Sequence, residues 1–101
     1  MQRHKLFVYG TLKLPEVQLQ VLGRRTSQEP DILEGYCKGE VIIHGKTYPI
    51  AQIDPNKSIK GVVLDITASE LPLLDDYETA AYERLETTLK SGIRAWIYCR
   101  P

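Results

Sequence analysis

The chain has 101 residues, 43% hydrophobic and 26% charged, with 13 basic side chains balanced by 13 acidic ones. That length suits a single domain over residues 1–101, and the composition excludes general disorder. A net charge of zero argues against nucleic-acid binding, which needs an excess of Lys and Arg to neutralise phosphates.

No apolar run approaches the ~20 residues of a membrane span. The stretch after the basic Met1-Gln2-Arg3-His4-Lys5 is too short for a secretory leader, so the expectation is a cytoplasmic protein with no membrane partner. Cys37 and Cys99 are far apart and form no CxxC pair, while His4 and His44 complete no metal-ligand pattern. The two cysteines could pair only if their strands met; otherwise they read as small buried hydrophobes.

In chain order, Leu6-Phe7-Val8-Tyr9 is a short apolar and aromatic run stopped by Gly10, a buried first strand entering a turn. Pro15 and Glu16 suit a helix start, Val17 and Val21 lie four apart, and Gly23 suits a left-handed stop, predicting a helix over about 15–22. Arg24 to Pro30 reads as a loop. Strands are expected from Ile32 to Ile43, Thr47 to Ala51 and Gly61 to Ile66, with turns at His44-Gly45-Lys46 and Asp54-Pro55-Asn56-Lys57. Pro49 removes a ladder donor and marks an edge or irregular strand. Thr67-Ala68-Ser69-Glu70 has the form of a capping box, and a short helix should follow to about Tyr77. Tyr82 to Leu89, the turn Lys90-Ser91-Gly92 and Ile93 to Tyr98 complete the pattern. Adjacent hairpins with two short helices predict an α+β fold, a small, mostly antiparallel β-barrel of about six strands.

Two constellations can carry chemistry. Leu71, Leu74, Asp75 and Glu78 share one helical face, so acids sit on the stripe that leucines turn inward. Either the helix ends near Asp76 and the acids meet water, or one carboxylate stands at a pocket mouth. In the second case burial raises its pKa toward general base and acid work. The pattern alone does not choose among Asp75, Asp76 and Glu78. The second constellation is Val8-Tyr9-Gly10-Thr11-Leu12, where a strand enters a glycine turn whose freed N–H groups could bind an anion or oxyanion. No GxGxxG, P-loop or nucleophile elbow is present.

Together, these segments resemble the γ-glutamylcyclotransferase-like family, and more closely its short AIG2-like and γ-glutamylamine cyclotransferase branch. The resembling pieces are Val8-Tyr9-Gly10-Thr11-Leu12, Tyr48-Pro49, Gly61-Val62-Val63, Leu74-Asp75-Asp76-Tyr77-Glu78, Tyr82-Glu83-Arg84 and Ala95-Trp96-Ile97-Tyr98, in the family's order over nearly the whole chain. The resemblance implies a barrel with a cavity at one side. It assigns the acid/base role to Glu78 and substrate binding to Tyr9, Gly10, Thr11 and Leu12 through the main chain, with Tyr82 near the cavity. It further implies release of 5-oxoproline and an amine from a small γ-glutamyl compound, without metal or other cofactor. The sequence departs from the family at Thr79, where many relatives carry Gly. That departure motivates an alternative, a non-catalytic module that binds a small metabolite or partner in the same cavity.

Overall fold

The computed structural model describes residues 3–78 and 82–99; Thr79, the position singled out above, lies outside them. Five strands and two helices follow in the order β1 (Arg3–Val8), α1 (Pro15–Leu22), β2 (Gln28–Ile43), β3 (Lys46–Thr67), α2 (Leu71–Glu78), β4 (Glu83–Thr88) and β5 (Arg94–Cys99). They form one sheet in the spatial order β2-β3-β1-β5-β4. β1 pairs antiparallel with β3 from Arg3↔Thr67 to Val8↔Val62, and parallel with β5 through Leu6↔Trp96. The mixed α+β architecture matches the expectation.

Two expected strands are one. β3 runs from Lys46 to Thr67, and Asp54-Pro55-Asn56-Lys57 does not reverse it. The pairing with β2 passes from Glu34↔Ser58 to Tyr36↔Ile53, so these four residues stand opposite Gly35 alone. The turn chemistry is real, since Asp54 Oδ1 accepts the Asn56 N–H at 3.1 Å, but its product is a bulge. It bends the strand while the ladder with β2 resumes on both sides. Likewise, the loop expected to reach Pro30 is shorter, because β2 already begins at Gln28.

The bend lets one strand serve two neighbours. Residues 62–67 of β3 pair with β1, while Ala51, beyond the bulge, pairs with Cys99 of β5 on the other side of β1. β3 therefore passes across the end of β1, and the sheet curls into a half-barrel. Gly61 stands where this crossing begins. A Cβ there would lie 2.4 Å from the Val8 carbonyl oxygen and 2.7 Å from Phe7 Cζ, so only glycine fits.

Alternation along β1 divides the core. Phe7 and Tyr9 point into the curl with Leu33, Ile59, Val63 and Ile97. Leu6 and Val8 point out beneath the helices with Leu64, Ile66 and Leu74. The helix α1 ends as predicted on Gly23, at φ 76°. Its fully buried residue is Gln18, which donates to the Leu12 carbonyl at 2.9 Å and accepts the Thr26 N–H at 3.0 Å. Those two bonds satisfy the amide and tie the segment after β1 to the start of the loop to β2. Ahead of α2, Glu70 accepts the Thr67 N–H at 2.8 Å and two bonds from the Arg24 guanidinium at 2.7 and 2.8 Å. Arg24 holds this buried carboxyl below its usual range.

Candidate active site

A cavity of about 310 Å³ opens where β1 ends. Its volume suits a small molecule. One wall is Tyr9, Gly10, Thr11 and Leu12; another is Tyr77 and Glu78 at the end of α2, with Tyr82 and Tyr98 beside them. Ile43 and His44 from the β2–β3 hairpin tip and Tyr48 and Pro49 of β3 close a third side.

The floor depends on Tyr9. Its hydroxyl accepts the Ala51 N–H at 2.9 Å and donates to the Tyr98 carbonyl. The side chain thus joins β3 to β5 where the bent strand crosses β1. Burial pushes its pKa well above the ordinary tyrosine value, so it stays a neutral phenol. After it the chain enters a one-turn 3₁₀ helix, Thr11–Lys13. The Lys13 and Leu14 N–H groups close that turn on the Gly10 and Thr11 carbonyls at 3.2 and 2.9 Å. The N–H groups ahead of them belong to the orphan set that any helix start leaves. Gly10 has a negative φ of −128°, outside the left-handed region, and its missing Cβ faces Pro49 Cγ at 3.4 Å. Its smallness therefore bears on cavity width.

The helix α2 does not end near Asp76. It continues to Glu78, and its geometry separates the three acids. Asp76 is exposed. Asp75 accepts the Tyr98 hydroxyl at 2.7 Å and is forked by Arg84, Nε to Oδ1 at 2.8 Å and the terminal NH₂ to Oδ2 at 3.1 Å. Burial opposes its charge, but the bonds from Tyr98 and Arg84 prevail and hold it below the usual carboxylate range. The Arg84 guanidinium also lies 4.4 Å from the Trp96 ring centre, fixing its plane. Glu78, one turn further, faces the cavity, and burial pushes it up to about 7.

Tyr9, Tyr48, Tyr77, Tyr82 and Tyr98 all line the cavity. Burial first, then the neighbouring Glu78 carboxylate and the Tyr48 and Tyr77 hydroxyls, push Tyr82 up to about 12. Glu78 likewise bears on Tyr9 and Tyr98. Tyr82 also reaches the hairpin strand. Its hydroxyl donates to the Pro49 carbonyl at 2.7 Å, and the Thr11 and Tyr77 hydroxyls meet at 2.7 Å across the mouth.

All six expected site residues, Tyr9, Gly10, Thr11, Leu12, Glu78 and Tyr82, line this one cavity. Sequence reasoning missed His44 and Ile43, which a hairpin brings in from across the sheet. It quoted Tyr48-Pro49 and Tyr77 without giving them a role. Cys37 and Cys99 are free thiols; their strands flank β3 at Gln52 and Ala51 and do not pair with each other. Among the described residues no helix is long and apolar enough to cross a membrane.

Comparison with known proteins places this geometry. The family described as Gamma-glutamyl cyclotransferase, AIG2-like, matches residues 6–101. AIG2-like protein C of Arabidopsis thaliana is 35% identical over 82 residues, which is 80% of this chain and 46% of that relative. Protein AIG2 C of the same plant is 33% identical over 85 residues, 83% of this chain and 50% of the relative. The chain thus spans about half the length of the curated relatives it matches. Among solved structures, an Arabidopsis thaliana protein aligns with TM-score 0.82 and 25% identity over 99% of this chain and 63% of its own. A structure described as Gamma-glutamyl cyclotransferase shares the fold, with TM-score 0.74 and 16% identity over 99% of this chain and 68% of its own. With the family's profile covering nearly its whole length, the chain belongs to the γ-glutamyl cyclotransferase, AIG2-like family.

Proposed function

We propose that this chain catalyses intramolecular acyl transfer on a small γ-glutamyl compound, releasing 5-oxoproline and an amine, with Glu78 as the general base and acid. The observation that carries this reading is a carboxyl poised near 7 in the wall of a small-molecule cavity, opposite the turn after Tyr9.

The chemistry asks for little beyond placement and proton handling. The α-ammonium of the substrate gives a proton to the Glu78 carboxylate, and the freed amine attacks the γ-carbonyl carbon of the same molecule. A carbon–nitrogen bond closes the five-membered lactam, and the bond to the leaving nitrogen breaks. The attacking nitrogen gives up two protons in all and keeps one; the leaving nitrogen takes up two and departs as an ammonium. Glu78 accepts from the first and donates to the second, a double duty best served by a pKa near the working pH. The tethered nucleophile makes proximity a matter of folding the substrate compactly, which a small cavity favours. The N–H groups of Gly10, Thr11 and Leu12 are suited to hold the substrate carboxylate or the developing oxyanion. Tyr82 would position the substrate beside Glu78.

The test is 5-oxoproline release from γ-glutamyl dipeptides, γ-glutamyl-ε-lysine and glutathione, with Glu78→Gln run in parallel. Release that depends on Glu78 supports the reading. A γ-glutamyl compound bound and recovered unchanged would overturn it in favour of a binding module.

A further inference from the structure

We propose that His44, at the tip of the β2–β3 hairpin, is a specificity-determining residue that reads the leaving group, favouring amines that carry a hydrogen-bond acceptor beside the scissile amide. This rests on the reaction proposed above but assigns a part of the cavity that the reaction itself leaves unused.

Three observations lead there. First, the tip is brought to the cavity and held. The bulge opposite Gly35 bends β3, Ala51 pairs with Cys99, and the Tyr82 hydroxyl holds the Pro49 carbonyl at 2.7 Å. Ile43 and His44 consequently line the same cavity as Glu78. Second, His44 is the one non-glycine residue at positive φ among the described residues. Ile43 pairs with Lys46, so His44-Gly45 is a two-residue hairpin loop, with φ 51° at His44 and 78° at Gly45. Such loops favour Asn-Gly or Asp-Gly, whose side chains tolerate the left-handed region. A non-glycine residue held in the left-handed region is uncommon, and such positions are candidates for function. Third, the hairpin is a separate wall of the cavity. The turn after Tyr9 and Glu78 at the end of α2 form two of the cavity's walls, and the hairpin with Tyr48 and Pro49 forms a third, which the Tyr82 hydroxyl meets at the Pro49 carbonyl, 2.7 Å away. A glutamyl unit with its amine at Glu78 would extend its leaving group toward that third wall. An imidazole donates a hydrogen bond in both protonation states but accepts only when neutral, so the partner it suits throughout is an acceptor, such as an amino-acid carboxylate.

His44→Asn separates the readings, because Asn suits the turn while withdrawing the ring. Using the whole chain, kcat/KM is compared for γ-glutamylglycine, whose leaving group bears a carboxylate, and γ-glutamylethylamide, whose leaving group bears none. The expected result is a loss on the order of tenfold for γ-glutamylglycine, mostly in KM, with γ-glutamylethylamide within about twofold. An unchanged ratio, with equal or higher thermal stability, would make His44 a turn residue only and overturn the proposal. Should neither compound turn over, the reaction reading fails by itself, and ring NMR signals still decide on His44. The chain has two histidines, so His4 serves as the internal control. A His44 shift with γ-glutamylglycine beyond that with γ-glutamylethylamide supports the assignment; equal or absent shifts reject it.

Discussion

Asp75 and Glu78 lie one helical turn apart on α2, and their surroundings drive them in opposite directions. Arg84 and Tyr98 hold Asp75 ionised, while burial lifts Glu78 to about 7. Two carboxyls with diverging environments mark a division of labour. Asp75 fastens the helix to β5 and β4, and Glu78, carried on the same rigid turn, is left for protons. Sharing one face is what aims Glu78: a helix locked through Asp75 cannot rotate its next turn away from the cavity.

Glu78→Gln should abolish release of 5-oxoproline by about 10²- to 10⁴-fold, the usual contribution of a positioned general base, while the fold persists. Retained turnover with a native circular dichroism spectrum would reject the assignment.

The same residue sets a pH dependence. As a base it must be ionised, so kcat/KM should rise through about pH 7. Stability runs the other way. The folded-state value lies above the ordinary 4.5, so the unfolded chain loses this proton first and the folded state binds more protons in between. Stability therefore declines as pH rises from about 4.5 to about 7 and then levels, by up to roughly 3 kcal/mol. Thermal melts of wild type and Glu78→Gln across pH 4–9 should diverge over that window, with the variant the flatter. Parallel curves would show that the carboxyl is not buried as described.

Tyr9→Phe should cost about 2 kcal/mol, because it strips a partner from both the Ala51 N–H and the Tyr98 carbonyl at the β3–β5 junction. Tyr98→Phe should cost nearer 1 kcal/mol, since Arg84 still pairs with Asp75. Urea midpoints measure both, and equal midpoints would remove Tyr9 from its place as the junction.

Gly61→Ala and Gly10→Ala should part company. At Gly61 the added methyl meets main chain and the Phe7 ring below 3.0 Å, so pairing of β1 with β3 must shift, with a loss of about 1–3 kcal/mol or more. At Gly10 the nearest atom is 3.4 Å away and φ is negative. That variant should melt with wild type and, with a narrower cavity, bind substrate more weakly. A destabilised Gly10→Ala would mean the glycine serves the turn.

Local chemistry determined much of this protein. Pro15 and Gly23 bound a helix, Thr67 and Glu70 mark the start of another, and alternation in Leu6–Tyr9 announces a strand, because each rests on contacts within a few residues. The resemblance carried by Tyr9–Leu12 and Leu74–Glu78 led to the family and to the acid that faces the cavity. Tertiary structure decided the rest. Asp54-Pro55-Asn56-Lys57 has the residues of a reversal, and only the ladder resuming at Ile53 makes it a bulge. His44 reads locally as a turn residue, but its place at the cavity depends on that bend bringing the hairpin to the end of β1. Sequence records the propensity of short segments, but a cavity exists between segments. Its walls and its electrostatics follow from burial that no single segment contains.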